Sequence, residues 1–142
     1  MTEYDPQNIF GKILRGEIPS VKVYEDETVL VMMDVFPQSR GHTLVLPKAP
    51  ARNLLDIGAD DLAHVAKVAQ KVAKAGMSAL GADGITVQQF NEGPGGQVVF
   101  HLHVHVIPRK SGVPMKPPAS EKEKPDVLAD IAKKLSAALA AG

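Results

Sequence analysis

The segment Phe100-His101-Leu102-His103-Val104-His105-Val106-Ile107-Pro108 constrains this chain more than any other. Its polar and apolar residues alternate with a period of two, which suits an extended strand and not a helix. Such a strand places His101, His103 and His105 on one face and sends Leu102, Val104 and Val106 into a core. A solvated face accounts poorly for three identical choices, because histidine is not a favoured strand filler. A shared metal ion is strained as well. At strand rise His101 and His105 stand roughly 13 Å apart, too far for both to reach one ion with bonds of about 2 Å. A two-histidine site completed from elsewhere stays open. The third reading is chemical. A neutral imidazole whose one nitrogen gives its proton to the backbone presents the other as a nucleophile near neutral pH.

Around this segment the pattern predicts an α+β chain with a mainly antiparallel five-stranded sheet. Asp5 and Pro6 open a short helix carrying Ile9, Phe10, Ile13 and Leu14, which Gly16 and Pro19 end. Strands follow over 21–24, 28–34 and 42–46. Residues 59–80 change to helical spacing, with Asp60 and Asp61 in the first turn. Strands are expected over 85–90 and 98–107. The stretch 111–125 is proline-rich and extended. A last helix then begins at Pro125 or Asp126, with Val127, Leu128, Ile131, Leu135 and Leu139 on one stripe. That stripe is too apolar for a free helix, so it must be covered, and the extended stretch before it can run along the rim of a site beside the histidine strand. His64 reads as a solvated residue on the long helix.

Composition narrows the function classes. With 142 residues the chain is expected to form one domain, a core of about residues 5–110 followed by the 111–142 extension. Lys plus Arg and Asp plus Glu are 16 each, so there is no basic excess for nucleic acid. Cysteine is absent, which removes disulfides, thiolate metal sites and a cysteine nucleophile. No stretch reaches the ~20 apolar residues of a membrane span, and the acidic start lacks signal-peptide character, so the cytoplasm is the expected location.

The loop Asn91-Glu92-Gly93-Pro94-Gly95-Gly96-Gln97 precedes the histidines directly. Glycines let backbone N–H groups approach oxyanions, so a phosphorus electrophile is the natural partner for the imidazole. A glycine loop alone is usually a plain hairpin connection; joined to three histidines it signals more.

These residues resemble the histidine triad (HIT) family signature, His-x-His-x-His followed by apolar residues. The similarity runs from about Asn8 to Arg109. Ile9-Phe10-Gly11-Lys12-Ile13, Asp34-Val35-Phe36-Pro37-Gln38 with Gly41-His42, and Asn91-Glu92-Gly93 are similar to the Hint branch. Pro108-Arg109 also resembles the Fhit branch. The resemblance implies a HIT-like fold that works as a homodimer. The spacing of the histidines, with no Cys and no clustered carboxylate pair, points to activity without cofactor or metal.

It also implies roles. His103 is the nucleophile at the α-phosphorus, His105 contacts the phosphate and aids the leaving group, His101 orients the site, and His42 is the fourth histidine of the proton relay. Asp34 holds the ribose hydroxyls; on its own it also suits a turn-capping role. Ile9, Phe10, Met32 and Val35 form the base pocket, with Ile13 equally suited to the core. Asn91, Gly96, Gln97, Val98 and Val99 form the phosphate loop. Val98 departs from relatives that carry Ser or Thr there, so only its backbone can bond phosphate, and the loop is one residue shorter than usual. The implied activity is a phosphoramidase or hydrolase of purine nucleoside monophosphate derivatives. A dinucleoside polyphosphate hydrolase and a nucleotide-binding regulatory module are the alternatives.

Overall fold

A computed structural model describes residues 2–142, so Met1 lies outside the described residues. In chain order the elements are α1 (Ile9–Leu14), β1 (Lys22–Glu25), β2 (Val29–Met33), β3 (Thr43–Pro47), α2 (Ala59–Leu80), β4 (Gly84–Gln88), β5 (Val104–Arg109) and α3 (Pro125–Ala141). The strands form one antiparallel sheet in the order β1-β2-β3-β5-β4. The fold is α+β, as the alternation of periods implies.

Two apolar layers sandwich the central strands. In β2, Val29, Val31 and Met33 face the layer that Val65, Val68 and Val72 of α2 share with Leu128, Ile131 and Leu135 of α3. The intervening Leu30 and Met32 face the opposite side, where Leu44 and Leu46 of β3 meet Phe10 of α1. Both faces of β2 and β3 are therefore buried, and their sequences read as continuous apolar runs. The α3 stripe docks on its own chain, which leaves none of the apolar stretch stranded in water.

Most boundaries fall within one or two residues of the expected ones, and three differences bear on the site. Helix α1 is capped by Asn8, whose Oδ1 accepts the Gly11 N–H at 2.8 Å, while Asp5 caps a turn ahead of it. Strand β4 stops at Gln88, where its partner in β5 is His105.

The third difference matters most: β5 begins at Val104, so His101 and His103 precede the strand. The ladder from β3 ends at the Val45–Val104 pair. Continuing it would set Leu102 opposite Pro47, which has no N–H to donate. The Pro47 carbonyl instead accepts from the His101 side chain, and the Leu102 N–H donates to the Ala51 carbonyl. His101 and Leu102 are consequently both buried, which strict alternation forbids for a strand with one open face.

Candidate active site

Alternation along the strands builds one wall of the site. Met32 and Asp34 lie along β2 and its end, His42 and Leu44 along β3 and its start, and His105 on β5, all toward the α1 side of the sheet. Asp34 N–H donates to the His42 carbonyl at 3.0 Å, which sets the two side by side. Gly41 makes this possible: it has φ +91°, and a Cβ there would stand 2.3 Å from Leu80 Cδ1. A cavity of about 640 Å³ opens on this wall. Its lining includes Ile9, Phe10, Ile13, Met32, Asp34, Val35, Gly96, Val98, Val99, His103 and His105. Ile13 serves both purposes left open for it, since it also packs against the Phe10 cluster. Phe90 closes one side, and Gly96, at φ +99°, takes the place where a Cβ would press to 3.1 Å on the Phe90 ring.

Hydrogen bonds fix the protonation of every triad ring, because backbone groups have only one role each. The His103 Nδ1–H donates to the His101 carbonyl at 2.7 Å, so Nε2 keeps its lone pair. His101 Nε2–H donates to the Pro47 carbonyl at 2.8 Å, and its Nδ1 accepts from the Tyr4 hydroxyl at 2.7 Å. The Gln38 N–H donates to His42 Nδ1 at 3.0 Å, which leaves the His42 proton on Nε2. That proton points at His105 Nδ1, 2.9 Å away, so His105 carries its own proton on Nε2. The result is a one-way series of donors from Gln38 through His42 to His105, all rings neutral.

Burial supports the same state. Loss of water pushes His42 down to about 3, His105 to about 4 and His101 to about 4, and lowers His103 as well. Neighbouring imidazoles add to the effect at His42 and His105. Burial raises the Asp34 carboxyl against the pull of the Phe36 N–H that it accepts. The His103 ring stands edge-on to Phe10, centroids 4.8 Å apart, and 5.0 Å from His105.

The glycine loop is fastened from below. Arg52 donates twice to the Glu92 carboxylate, at 2.8 and 3.0 Å, and stacks over the Phe100 ring at 4.1 Å. Asn53 donates to both Glu92 and Gln97. These contacts hold Glu92 at φ +64°, a conformation rare outside glycine. Asn91 and Gln97 belong to the loop expected to bind phosphate. The Gln97 side chain is buried and donates to the Arg52 and Val99 carbonyls, and Asn91 Oδ1 accepts from the Leu54 N–H while its Nδ2 donates to Gln89. Neither side chain lines the cavity. Val98 is 83% exposed at the mouth, and Val99 packs inward.

Several participants left little trace in the sequence. Met115, Pro118 and Ala119 of the extended stretch line the cavity. Gln38 is buried, and Tyr4 reaches His101 across 97 residues. The forewarnings were the proline-rich stretch just after the histidines and the place of Gln38 in the Asp34–Gln38 motif. His64, read as solvated, pairs with Asp26 at 2.7 Å.

Asp34, His42 and His105 present one donor atom each within 4.8 Å of one another, the obvious place to test for a metal. The donor set does not fit. His42 Nε2 carries a proton as long as Gln38 occupies Nδ1, and the 2.9 Å to His105 Nδ1 is a hydrogen bond, shorter than the spacing of two nitrogens on one zinc ion.

Comparison with known proteins agrees with this geometry. The HIT domain family matches residues 15–112. An uncharacterized HIT-like protein of Methanocaldococcus jannaschii is 41% identical over 104 residues, 73% of this chain and 80% of that protein. Adenylylsulfatase HINT3 of Arabidopsis thaliana is 37% identical over 102 residues, 72% of this chain and 52% of that longer protein. A crystal structure of a Hit-like protein involved in cell-cycle regulation from Bartonella henselae, with an unknown ligand, superposes with TM-score 0.93 at 50% identity. It covers 96% of this chain and 99% of that one. A zinc-bound histidine triad family protein of Mycobacterium smegmatis superposes with TM-score 0.82 at 36% identity, covering 95% and 94%.

Proposed function

The chain belongs to the HIT family of nucleotide-binding hydrolases and transferases, and from that premise we propose that it is a phosphoramidase or hydrolase of purine nucleoside monophosphate derivatives. The observation that carries the reading is the free Nε2 of His103, held outward by the bond from Nδ1–H to the His101 carbonyl, in a cavity shared with Asp34 and His105. Base and ribose would fill the apolar end, between Ile9, Phe10, Met32 and Val35, with Asp34 accepting from the ribose hydroxyls.

The steps follow from the protonation states. His103 Nε2 attacks the α-phosphorus as the bond to the leaving nitrogen or oxygen breaks, and that atom takes the electron pair and a proton from solvent. The new nucleotidyl-imidazole keeps its Nδ1–H, and the His101 carbonyl faces the positive charge that develops there. His105 Nε2–H offers a hydrogen bond to the charge that builds on the phosphate and the leaving atom. Water then attacks phosphorus, the P–Nε2 bond breaks, neutral His103 returns, and the proton from water passes to solvent. The chain's own residues supply nucleophile and donors.

Charge favours a single phosphate. Among the described residues the cavity lining includes no Lys or Arg, and its one acid is Asp34. Neutral imidazoles and loop N–H groups suit a monoanion, whereas a polyphosphate bridge would bring several charges with no cation to meet them.

A homodimer belongs to the same proposal. Strand β4 is a sheet edge, and beside it an apolar groove runs between Leu62, Val65, Ala66, Ala69 and Ala73 of α2 and Val87 of β4, with Val87 57% exposed. A second copy meeting this face would bury both features by two-fold symmetry.

The test offers the protein an alkylamine phosphoramidate of AMP beside a diadenosine polyphosphate, with intact-mass detection of a nucleotidyl adduct. Phosphoramidate turnover with the adduct on His103 is expected. Faster cleavage of the dinucleotide, or AMP binding with no turnover of either compound, overturns the reading.

A further inference from the structure

Met115, Pro118 and Ala119 of the stretch between β5 and α3 line the cavity, and that strap is tied to the site at two places. The Lys116 N–H donates to the Gln38 carbonyl at 2.8 Å, and Gln38 Nε2 donates back to the Lys116 carbonyl at 3.1 Å. A second tie joins the Glu123 N–H to the Val35 carbonyl at 2.9 Å. The strap's far end is anchored by α3, whose Leu128, Ile131 and Leu135 are buried in the core. Gln38 meanwhile belongs to an irregular loop, and it is buried although polar. Its own N–H is the group that occupies His42 Nδ1.

We propose that Gln38 is a positioning residue through which the strap fixes the direction of the hydrogen-bond series that ends on His105. An imidazole can hold its single proton on either nitrogen, and the two tautomers differ little in energy in water. His42 has no such freedom while the Gln38 N–H faces Nδ1. A backbone N–H can only donate, so the proton must sit on Nε2, and His105 must then present a donor to the substrate. Should the loop relax, His42 can take its proton on Nδ1, accept from His105 and turn the series round. The cavity then faces a lone pair where a donor is needed. Donors aligned in one direction also polarise one another, so the loss is felt at His105. No contact of Gln38 with substrate is required.

This inference rests on the proposed phosphoryl-transfer reading for its kinetic arm only. The variants are Gln38→Ala, which removes the bond to the Lys116 carbonyl, and Lys116→Pro, which removes the N–H that the Gln38 carbonyl accepts. A hydrogen bond to the leaving atom matters most when that atom carries most charge. The kcat/KM for an alkylamine leaving group should therefore fall about tenfold or more, and for a p-nitrophenyl leaving group less than about threefold. Equal losses for both substrates in folded variants would mean a merely structural role and overturn the proposal. The second arm needs no turnover. Histidine nitrogen NMR of the full chain should show His42 protonated on Nε2, His103 on Nδ1, and loss of the single His42 tautomer in both variants. A wild-type His42 protonated on Nδ1, or one unchanged in the variants, overturns the inference whether or not the protein turns over nucleotide. Absence of turnover with the expected tautomers overturns only the proposed function.

Discussion

His42 Nε2 and His105 Nδ1 lie 2.9 Å apart across 63 residues of sequence, with the proton on His42 and the lone pair on His105. Neither ring can gain a second proton without breaking a bond, since Gln38 fills the other nitrogen of His42. The site is built to work with neutral imidazoles.

That neutrality sets the pH behaviour. The role proposed for His103 needs a free Nε2, and burial lowers its pKa. Turnover should therefore persist below the ordinary histidine range and decline as pH nears about 4, where His105 protonates. A kcat/KM profile with an acid limb at about 6.5, the ordinary histidine value, would contradict this. Stability follows the same sign. When unfolded, His42, His101 and His105 bind protons below about 6.5, whereas in the folded chain burial holds them neutral down to about pH 4 or lower. Stability is thus complete above about 6.5 and falls as pH drops toward 4. The slope is about 1.4 kcal/mol per pH unit for each histidine that titrates. Denaturant unfolding at several pH values measures it.

His103→Ala and His103→Asn should abolish turnover while AMP binding changes little, because the contacts proposed for base and ribose lie on other residues. Rates above about a thousandth of wild type would count against His103 as nucleophile. Intact-mass analysis of both variants should show no nucleotidyl adduct.

The bidentate Arg52–Glu92 pair should act through the loop. Glu92→Gln keeps the shape but weakens the hold on a residue at φ +64°. The expected outcome is a rise in KM of about three- to tenfold with kcat nearly unchanged, since the role proposed for the loop is to bind phosphate and not to take part in bond making. A drop in kcat alone would place Glu92 elsewhere in the mechanism.

Helix α3 should carry stability. Leu135 is 1% exposed between α2 and the sheet, and Leu135→Ala should cost about 2–5 kcal/mol. Truncation after Arg109 should lower Tm further, since it strips Leu128, Ile131 and Leu135 from the core together. An unchanged Tm would mean that α3 packs on nothing in solution.

Light scattering at micromolar concentration should give about twice the 15.1 kDa chain mass. Val87→Glu on the β4 edge should halve it while the fold survives, because a buried unpaired carboxylate opposes the interface and the free chain tolerates it in water. A monomeric wild type removes the dimer proposal.

Much of the architecture was legible in the chain itself. The switch from period two to period 3.6 located five strands and three helices, because side-chain spacing is a local property of backbone geometry. The three closely spaced histidines and the glycine loop announced a site for the same reason. Element ends were less legible: Asn8 displaced Asp5 as a cap, and β5 lost its first six expected residues once Pro47 could not continue the ladder.

What the chain alone could not express is which nitrogen of each imidazole holds the proton. That depends on partners brought together by folding: the His101 carbonyl for His103, Pro47 and Tyr4 for His101, Gln38 for His42, and His42 for His105. Three of those links span more than 50 residues, and local spacing carries no record of them. The strap's place over the cavity has the same origin, since an extended proline-rich stretch has no preferred course until α3 docks and the Gln38 loop offers it hydrogen bonds. The residue types and their order therefore belong to the sequence. The direction of every proton in the site belongs to the tertiary structure, because a tautomer is chosen by what lies opposite each ring nitrogen.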